Sequence, residues 1–359
     1  MAGLGPRQGL LKHRQWPMEF TTRGILLAPA LSKAGVFFMI IVPEREIEGL
    51  VSASDCLTAV EQVFASMAQK SAYNFPVIRE AIGHADALYG FKSGFDRVSL
   101  ALGLKSGGFW PSNMEKGLTN HQSTIFLFDA DTGKCRAVVG GNLLTALRTA
   151  AASAVSIKYL ARSDAKVLGM VGAGHQSTFQ LRAALEQRPF EKVVGWNIYP
   201  EALDRLAKIA AEHDIPFEAV DLDRLGAEAD VIITIASSFA PILRAAQIRP
   251  GTHLACMGTD TKGKQEVEAE LLAAATVFSD EIAQSITIGE AQHPVAKGLI
   301  SPDRIIEIGT VINGDHPGRS NADEITVFDG TGVGLQDLAV ASKAVDLAVQ
   351  KGVAVVVDF

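Results

Sequence analysis

Three patterns of apolar and polar positions divide the chain. Met39–Val42 is uniformly apolar and predicts a strand. Leu57, Val60, Val63, Phe64 and Met67 then recur at three- and four-residue spacing, which predicts an amphipathic helix within Glu44–Gln69, with Ser52 or Ser54 as its cap. Over residues 75–139 the period shortens. FPVIREAIG, ALYGFKSG, RVSLALGLKSGGFW, STIFLFDADTG and CRAVVGG are strand-like pieces set apart by Gly and Asp-Gly signals, a mostly antiparallel sheet. An Ala-rich helix follows, from about Leu144 to Ala161.

The pattern changes at Ala165. VLGMV (167–171), KVVGWN (192–197), FEAVD, DVIITI (230–235), THLACMG (252–258) and TVFSD (276–280) are apolar nearly throughout. Helical stretches such as TFQLRAALEQ, PEALDRLAKIAAEH and VEAELLAAA alternate with them. Unbroken apolar strands alternating with helices predict right-handed crossovers and a parallel sheet covered on both faces. ITVFD (325–329) reads as a late strand and DLAVASKAVDLAVQ (337–350) as an amphipathic helix.

Composition narrows the function classes. The 359 residues carry 33 Lys and Arg against 40 Asp and Glu, a net charge of −7, with 48% apolar residues. That excludes global disorder and leaves no basic footprint for nucleic acid. Cys56, Cys135 and Cys256 lie far apart, which argues against a disulfide framework or zinc knuckle and for a reducing, cytoplasmic setting. The eight histidines make no metal-like pair. Residues 1–38 carry five basic side chains, with Pro6, Pro17 and Pro29 as breaks, and read as an extension before the folded part.

Candidate chemistry begins where VLGMV meets Gly172-Ala-Gly174-His-Gln-Ser177. A G-x-G-x-x-small turn between an apolar strand and a helix suits a dinucleotide pyrophosphate. The first glycine permits the turn, the second admits the phosphate, and the helix N-terminus supplies partial positive charge. Asn197 stands at the end of the second strand, where an acid would hold the adenosine ribose. With no Arg or Lys in Ile198-Tyr199-Pro200, NAD(H) is favoured over NADP(H), unless Arg205 points back from its helix.

Several charges interrupt apolar surroundings. Arg79 and Lys105 lie within strand-like pieces and suit a carboxylate-bearing substrate. Arg148 falls in the first turn of the Ala-rich helix, with Thr145 as a cap, so its charge opposes the helix dipole and invites an anion. Asp260 follows THLACM at the carboxyl edge of the parallel sheet. It reads either as a turn aspartate or as a general acid/base beside a nicotinamide, with Lys264 four residues on as a cofactor contact.

LGLKSGGFWPSN, FLFDADTG, LLTALRTAAASAVSIKYLA, LGMVGAGHQS, MGTDTKGKQEVEAELL and FDGTGVGLQDLAVA together resemble the ornithine cyclodeaminase/mu-crystallin family. The resemblance implies a homodimer whose subunits pair a Rossmann-type doubly wound α/β domain (144–336) with an α+β substrate and dimerisation domain built from both chain ends (39–143 and 337–359). It implies carboxylate binding by Arg79 and Lys105. Cofactor contacts are implied for Arg148, Gly172, Gly174, His175, Gln176, Ser177, Asn197, Ser237, Gly258 and Lys264, and Asp260 takes the catalytic acid/base position. Asn197 departs from the acid of the NAD-binding cyclodeaminases. Gly330-Thr331-Gly332 replaces the usual S-x-G, which places Thr331 on an altered substrate wall. Within the family the segments look most like the branch that reduces iminosuccinate to L-aspartate with NADH in the β-hydroxyaspartate cycle of glyoxylate assimilation. Cyclodeamination of ornithine, reduction of a ketimine or pyruvate-derived imine, and non-catalytic NAD(P)H binding are the alternatives.

Overall fold

The computed structural model describes residues 38–358; the extension expected over 1–38 lies outside them apart from Phe38, which opens the first strand. Alternation builds the first sheet. It contains β1 (Phe38–Val42), β2 (Ala72–Asn74), β3 (Ile78–Ala81), β4 (Leu88–Asp96), β5 (Ala101–Phe109), β6 (His121–Phe128) and β7 (Cys135–Gly140), closed by a strand at Val355–Asp358 that the apolar pattern did not single out. The hairpins joining β4, β5, β6 and β7 are antiparallel, whereas β1 pairs with β7 in parallel. Its inner face receives the helices Ala53–Ala68, Asn142–Leu160 and Gly334–Lys351. Gly94 and Gly103 admit the last of these. A Cβ there would stand 3.0 Å from Leu335 Cγ and 2.9 Å from Leu338 Cδ2.

Caps set where the helices begin. Ser52, not Ser54, starts Ala53–Ala68: its hydroxyl accepts from the Asp55 N–H at 3.0 Å, and the Asp55 carboxylate accepts from the Ser52 N–H at 3.1 Å. The Ala-rich helix begins at Asn142, earlier than its composition suggested, and Thr145 is inside it rather than capping it. Gly141 has no side chain to offer. The Glu44 carboxylate instead accepts from the N–H groups of Asn142 (3.0 Å) and Leu143 (2.8 Å). The anion at this helix N-terminus is therefore a side chain of the protein. Ala150 to Ile157 are all buried, which explains the alanines and serines: packed on every side, the helix leaves little room for large side chains.

The second sheet is wholly parallel. β8 (Val167–Val171), β9 (Lys192–Trp196), β10 (Phe217–Ala219), β11 (Val231–Thr234), β13 (His253–Cys256), β15 (Thr276–Ser279), β16 (Ile306–Glu307) and β17 (Thr326–Asp329) stand in the order β10-β9-β8-β11-β13-β17-β15-β16. The late strand β17 is inserted between β13 and β15. β12 (Phe239–Leu243) and β14 (Gln265–Val267) form a separate parallel pair. Strand order reverses between β8 and β11, so the loops leaving those strands open a crevice at the carboxyl edge, where doubly wound folds bind ligands.

Candidate active site

The glycine turn occupies this crevice. Gly172 has φ +102°, and a Cβ there would lie 2.8 Å from the Ile235 carbonyl. A Cβ at exposed Gly174 would meet nothing within 4 Å, so the turn is open where a phosphate would approach. Ser177 is buried and donates its hydroxyl to the Gly174 carbonyl at 2.6 Å, fastening the turn to the helix His175–Leu185. The Gln176 Oε1 is buried without a hydrogen-bond partner. Asn197 braces the crevice from β9. Its Oδ1 accepts from the Ala173 N–H (3.1 Å), and its Nδ2 donates to the Tyr199 carbonyl (2.8 Å). Burial and then the charge of Arg205 lower the His175 imidazole. Exposed Ser237 follows β11, and a Cβ on Gly258 would meet the Ala236 carbonyl at 2.3 Å.

The cations come from the other sheet. Arg79 on β3 is opposite Gly90 on β4; two residues along β4, Lys92 is opposite Lys105 on β5. Side chains two apart share a face, so all three project from the inner face. Arg79 reaches the carboxyl edge of the parallel sheet. Its Nη1 donates to Asp260 Oδ2 (2.8 Å), the Asp260 carbonyl (3.2 Å) and Thr261 Oγ1 (3.0 Å). Lys105 Nζ lies 2.9 Å from Asp337 Oδ2, a buried ion pair. Arg148 Nε donates to Asp337 Oδ1 at 2.9 Å. Arg148 lies in the second turn of its helix, and the anion it faces is Asp337 rather than a ligand group.

Sequence reasoning missed Lys92 and Asp337. Lys92 is half-buried and donates to the carbonyls of Gly332 (2.6 Å) and Thr331 (3.1 Å). Asp337, in the first turn of the C-terminal helix, is fully buried. The Thr331–Gly332 loop is held from behind. Asp280 accepts from the Thr331 hydroxyl (2.7 Å) and the Gly332 N–H (2.7 Å), so Thr331 turns its carbonyl, not its hydroxyl, toward Lys92. Gly332 has φ +72°, and a Cβ there would lie 2.6 Å from Arg148 Nη1. Only glycine meets both demands.

Electrostatics follow from this crowding. Burial pushes the Asp260 carboxyl up, but Arg79, Lys264 and Lys92 outweigh it and hold the group well below the usual carboxylate range. Lys264 Nζ donates to Asp260 Oδ1 at 2.9 Å. Burial lowers Lys105 to about 7, with Asp337 opposing and Arg148 and Lys92 assisting. Burial likewise lowers Lys92 to about 8, against the pull of Asp260. His121, the first residue of β6, is held to about 3 by burial and by Lys105 and Arg148, so its imidazole is neutral. Glu266, also missed, ties the loops after β11 and β13 together by accepting from Thr234 Oγ1 (2.7 Å), the Gly258 N–H (2.8 Å) and the Ala236 N–H. Among the described residues no group of three or more His, Cys, Asp or Glu is placed to hold a metal. No described helix is long and apolar enough to cross a membrane.

Residues 39–352 match the family model described as ornithine cyclodeaminase/mu-crystallin family. The chain belongs to this family. Among its relatives, the iminosuccinate reductase of Paracoccus denitrificans is 64% identical over 316 residues, 88% of this chain and 98% of that protein. Its crystal structure in complex with NAD+ superposes with a TM-score of 0.87 at 63% identity, covering 90% of this chain and 100% of that one. The alanine dehydrogenase of Archaeoglobus fulgidus is 31% identical over 323 residues, 89% of this chain and 98% of that protein. The family membership and the Rossmann-type parallel sheet thus agree with the expectations drawn from the motifs.

Proposed function

We propose that the protein is an NADH-dependent imine reductase that converts iminosuccinate to L-aspartate. One observation carries this reading beyond family likeness. Five cations (Arg79, Lys92, Lys105, Arg148, Lys264) gather around three carboxylates (Asp260, Asp337 and, behind the Thr331–Gly332 loop, Asp280), and 5 − 3 leaves two positive charges for an imino dicarboxylate. A diamino acid such as ornithine would bring its own cation into that field.

NAD(H) fits the crevice. Gly174 is open, Gln176 offers a buried unpaired oxygen, and the helix N-terminus faces the turn. NADH, when bound, supplies the hydride. The protein's own residues handle charge. Arg79 uses only Nη1 on Asp260 and Thr261, which leaves N–H groups for a substrate carboxylate. Lys105 and Arg148 add positive field from beneath. Because Asp260 is ionised, we assign it the task of steadying a protonated C=N nitrogen, which makes the carbon more electrophilic, rather than of storing the proton itself. Lys264 and Arg79 fix both of its oxygens.

This assignment gives the cofactor to residues 144–336 and the substrate to 39–143 with 337–359. A homodimer is part of it. Tyr73, Phe95, Leu102, Leu104, Phe126 and Val138 share the outer face of the first sheet, none of them fully buried, an apolar surface suited to a second copy. Three free cysteines suit the cytoplasm, and the reaction suits glyoxylate assimilation through the β-hydroxyaspartate cycle.

The test is a substrate panel read by NADH absorbance. We expect oxidation of NADH with oxaloacetate plus ammonia and little with oxaloacetate alone. Turnover confined to pyruvate plus ammonia, or to a cyclic imine, would overturn the dicarboxylate assignment.

A further inference from the structure

We propose that Lys92 selects the second carboxylate of the substrate and so sets the preference for dicarboxylate over monocarboxylate imines. The inference rests on the imine-reductase reading above and names the residue behind its substrate class.

Of the five cations, four already have a carboxylate: Arg79 and Lys264 share Asp260, and Lys105 and Arg148 share Asp337. Among the described residues Lys92 has none within ion-pair distance. Its contacts are the carbonyls of Gly332 and Thr331, at 2.6 and 3.1 Å. Those two bonds fix the ammonium in place with no carboxylate in direct contact, and the third N–H has no protein acceptor. An ammonium so buried, drawn only at a distance by Asp260 and Asp337 and repelled by Arg148 and Arg79, is in an unfavourable place unless an anion joins it.

Register puts this ammonium where a second carboxylate would arrive. Lys92 pairs directly with Lys105 across β4 and β5, and Arg79 is on the same face of the neighbouring β3. A substrate with one carboxylate is served by Arg79 and the Lys105–Arg148 pair. A substrate with two needs another cation on the same face, and Lys92 is the one with charge to spare. The carbonyls that hold it belong to Thr331 and Gly332, where this chain departs from S-x-G.

Lys92→Met tests the proposal. NADH-dependent turnover is measured for wild type and variant with oxaloacetate plus ammonia and with pyruvate plus ammonia, and NADH affinity by fluorescence titration. We expect kcat/KM for the dicarboxylate pair to fall about 10- to 100-fold, as for a charge-assisted hydrogen bond, mainly through KM. The ratio of the two kcat/KM values should shift toward pyruvate by a similar factor, NADH affinity should hold, and Lys92→Arg should restore the preference. An equal loss on both pairs, together with weakened NADH binding, would mean that Lys92 only staples the loop. An unchanged ratio would also overturn the proposal. Failure of the underlying reading looks different: the wild type itself would not prefer the dicarboxylate pair.

Discussion

Asp337→Asn keeps the side chain's shape and removes the negative charge shared by Lys105 and Arg148. The wild-type carboxylate is fully buried, with each cation 2.9 Å from one of its oxygens. Without it, two cations face each other in a nearly dry space. Removing one partner of a buried ion pair costs about 3–5 kcal/mol, most of it the penalty of the charge left behind. At this chain length each kcal/mol lowers the unfolding midpoint by roughly 2 °C, so a fall of about 6–10 °C is expected. A dicarboxylate should partly repair the damage. Bound at 100 times its Kd, any ligand adds about 2.7 kcal/mol, and in the variant it also supplies the missing negative charge. Thermal unfolding followed with increasing succinate should show a larger rise for Asp337→Asn than for wild type. A midpoint within about 2 °C of wild type, or equal rescue of both proteins, would refute the shared-charge argument.

Other consequences concern the reacting edge and the loops. Asp260→Asn should lower kcat about 100- to 1,000-fold, as for loss of one electrostatic stabiliser, while NADH affinity stays near wild type; turnover close to wild type would remove Asp260 from the chemistry. Because Lys105 and Lys92 are lowered to about 7 and about 8, raising the pH through that range discharges the free enzyme. The inhibition constant of succinate should therefore weaken above about pH 8, whereas kcat, measured with the anion already bound, should hold to higher pH. The same lysines bind fewer protons folded than unfolded, so the ligand-free protein gains stability as the pH rises from about 7 toward the ordinary lysine value of 10.5. Gly332→Ala should cost about 1–3 kcal/mol through its positive φ and displace Arg148, reducing activity as well. Gly174→Ala, with open space around it, should instead leave the unfolding midpoint in place and weaken NADH binding.

Much of this was legible in the chain because it is local. The unbroken apolar runs from β8 to β15 and the Gly172–Ser177 turn each occupy a few consecutive residues, and both stand where the sequence placed them. Arg79, Lys105 and Asp260 stood out because a charge within or just after an apolar strand breaks the pattern. Their counter-charges did not, since those depend on long-range pairing. Asp337 is 189 residues from Arg148 and reads along the chain as an ordinary first-turn acid. Lys92 looks like a solvent-facing residue between Phe91 and Ser93, and only the β4–β5 register turns it into the site. Thr145 was a reasonable cap by residue type, yet Glu44, 98 residues before Asn142, took the role, because it packs against Gly140 just ahead of the N-cap Gly141. Arg148 then needed no external anion.

The destination of the hydride tests the central claim most directly. The enzyme is incubated with NADH deuterated at both C4 positions, oxaloacetate and ammonia, and the products are analysed by mass spectrometry. The account predicts L-aspartate carrying one deuterium on its α-carbon. Deuterium in malate with none in aspartate would show hydride landing on a C=O carbon, and would contradict it.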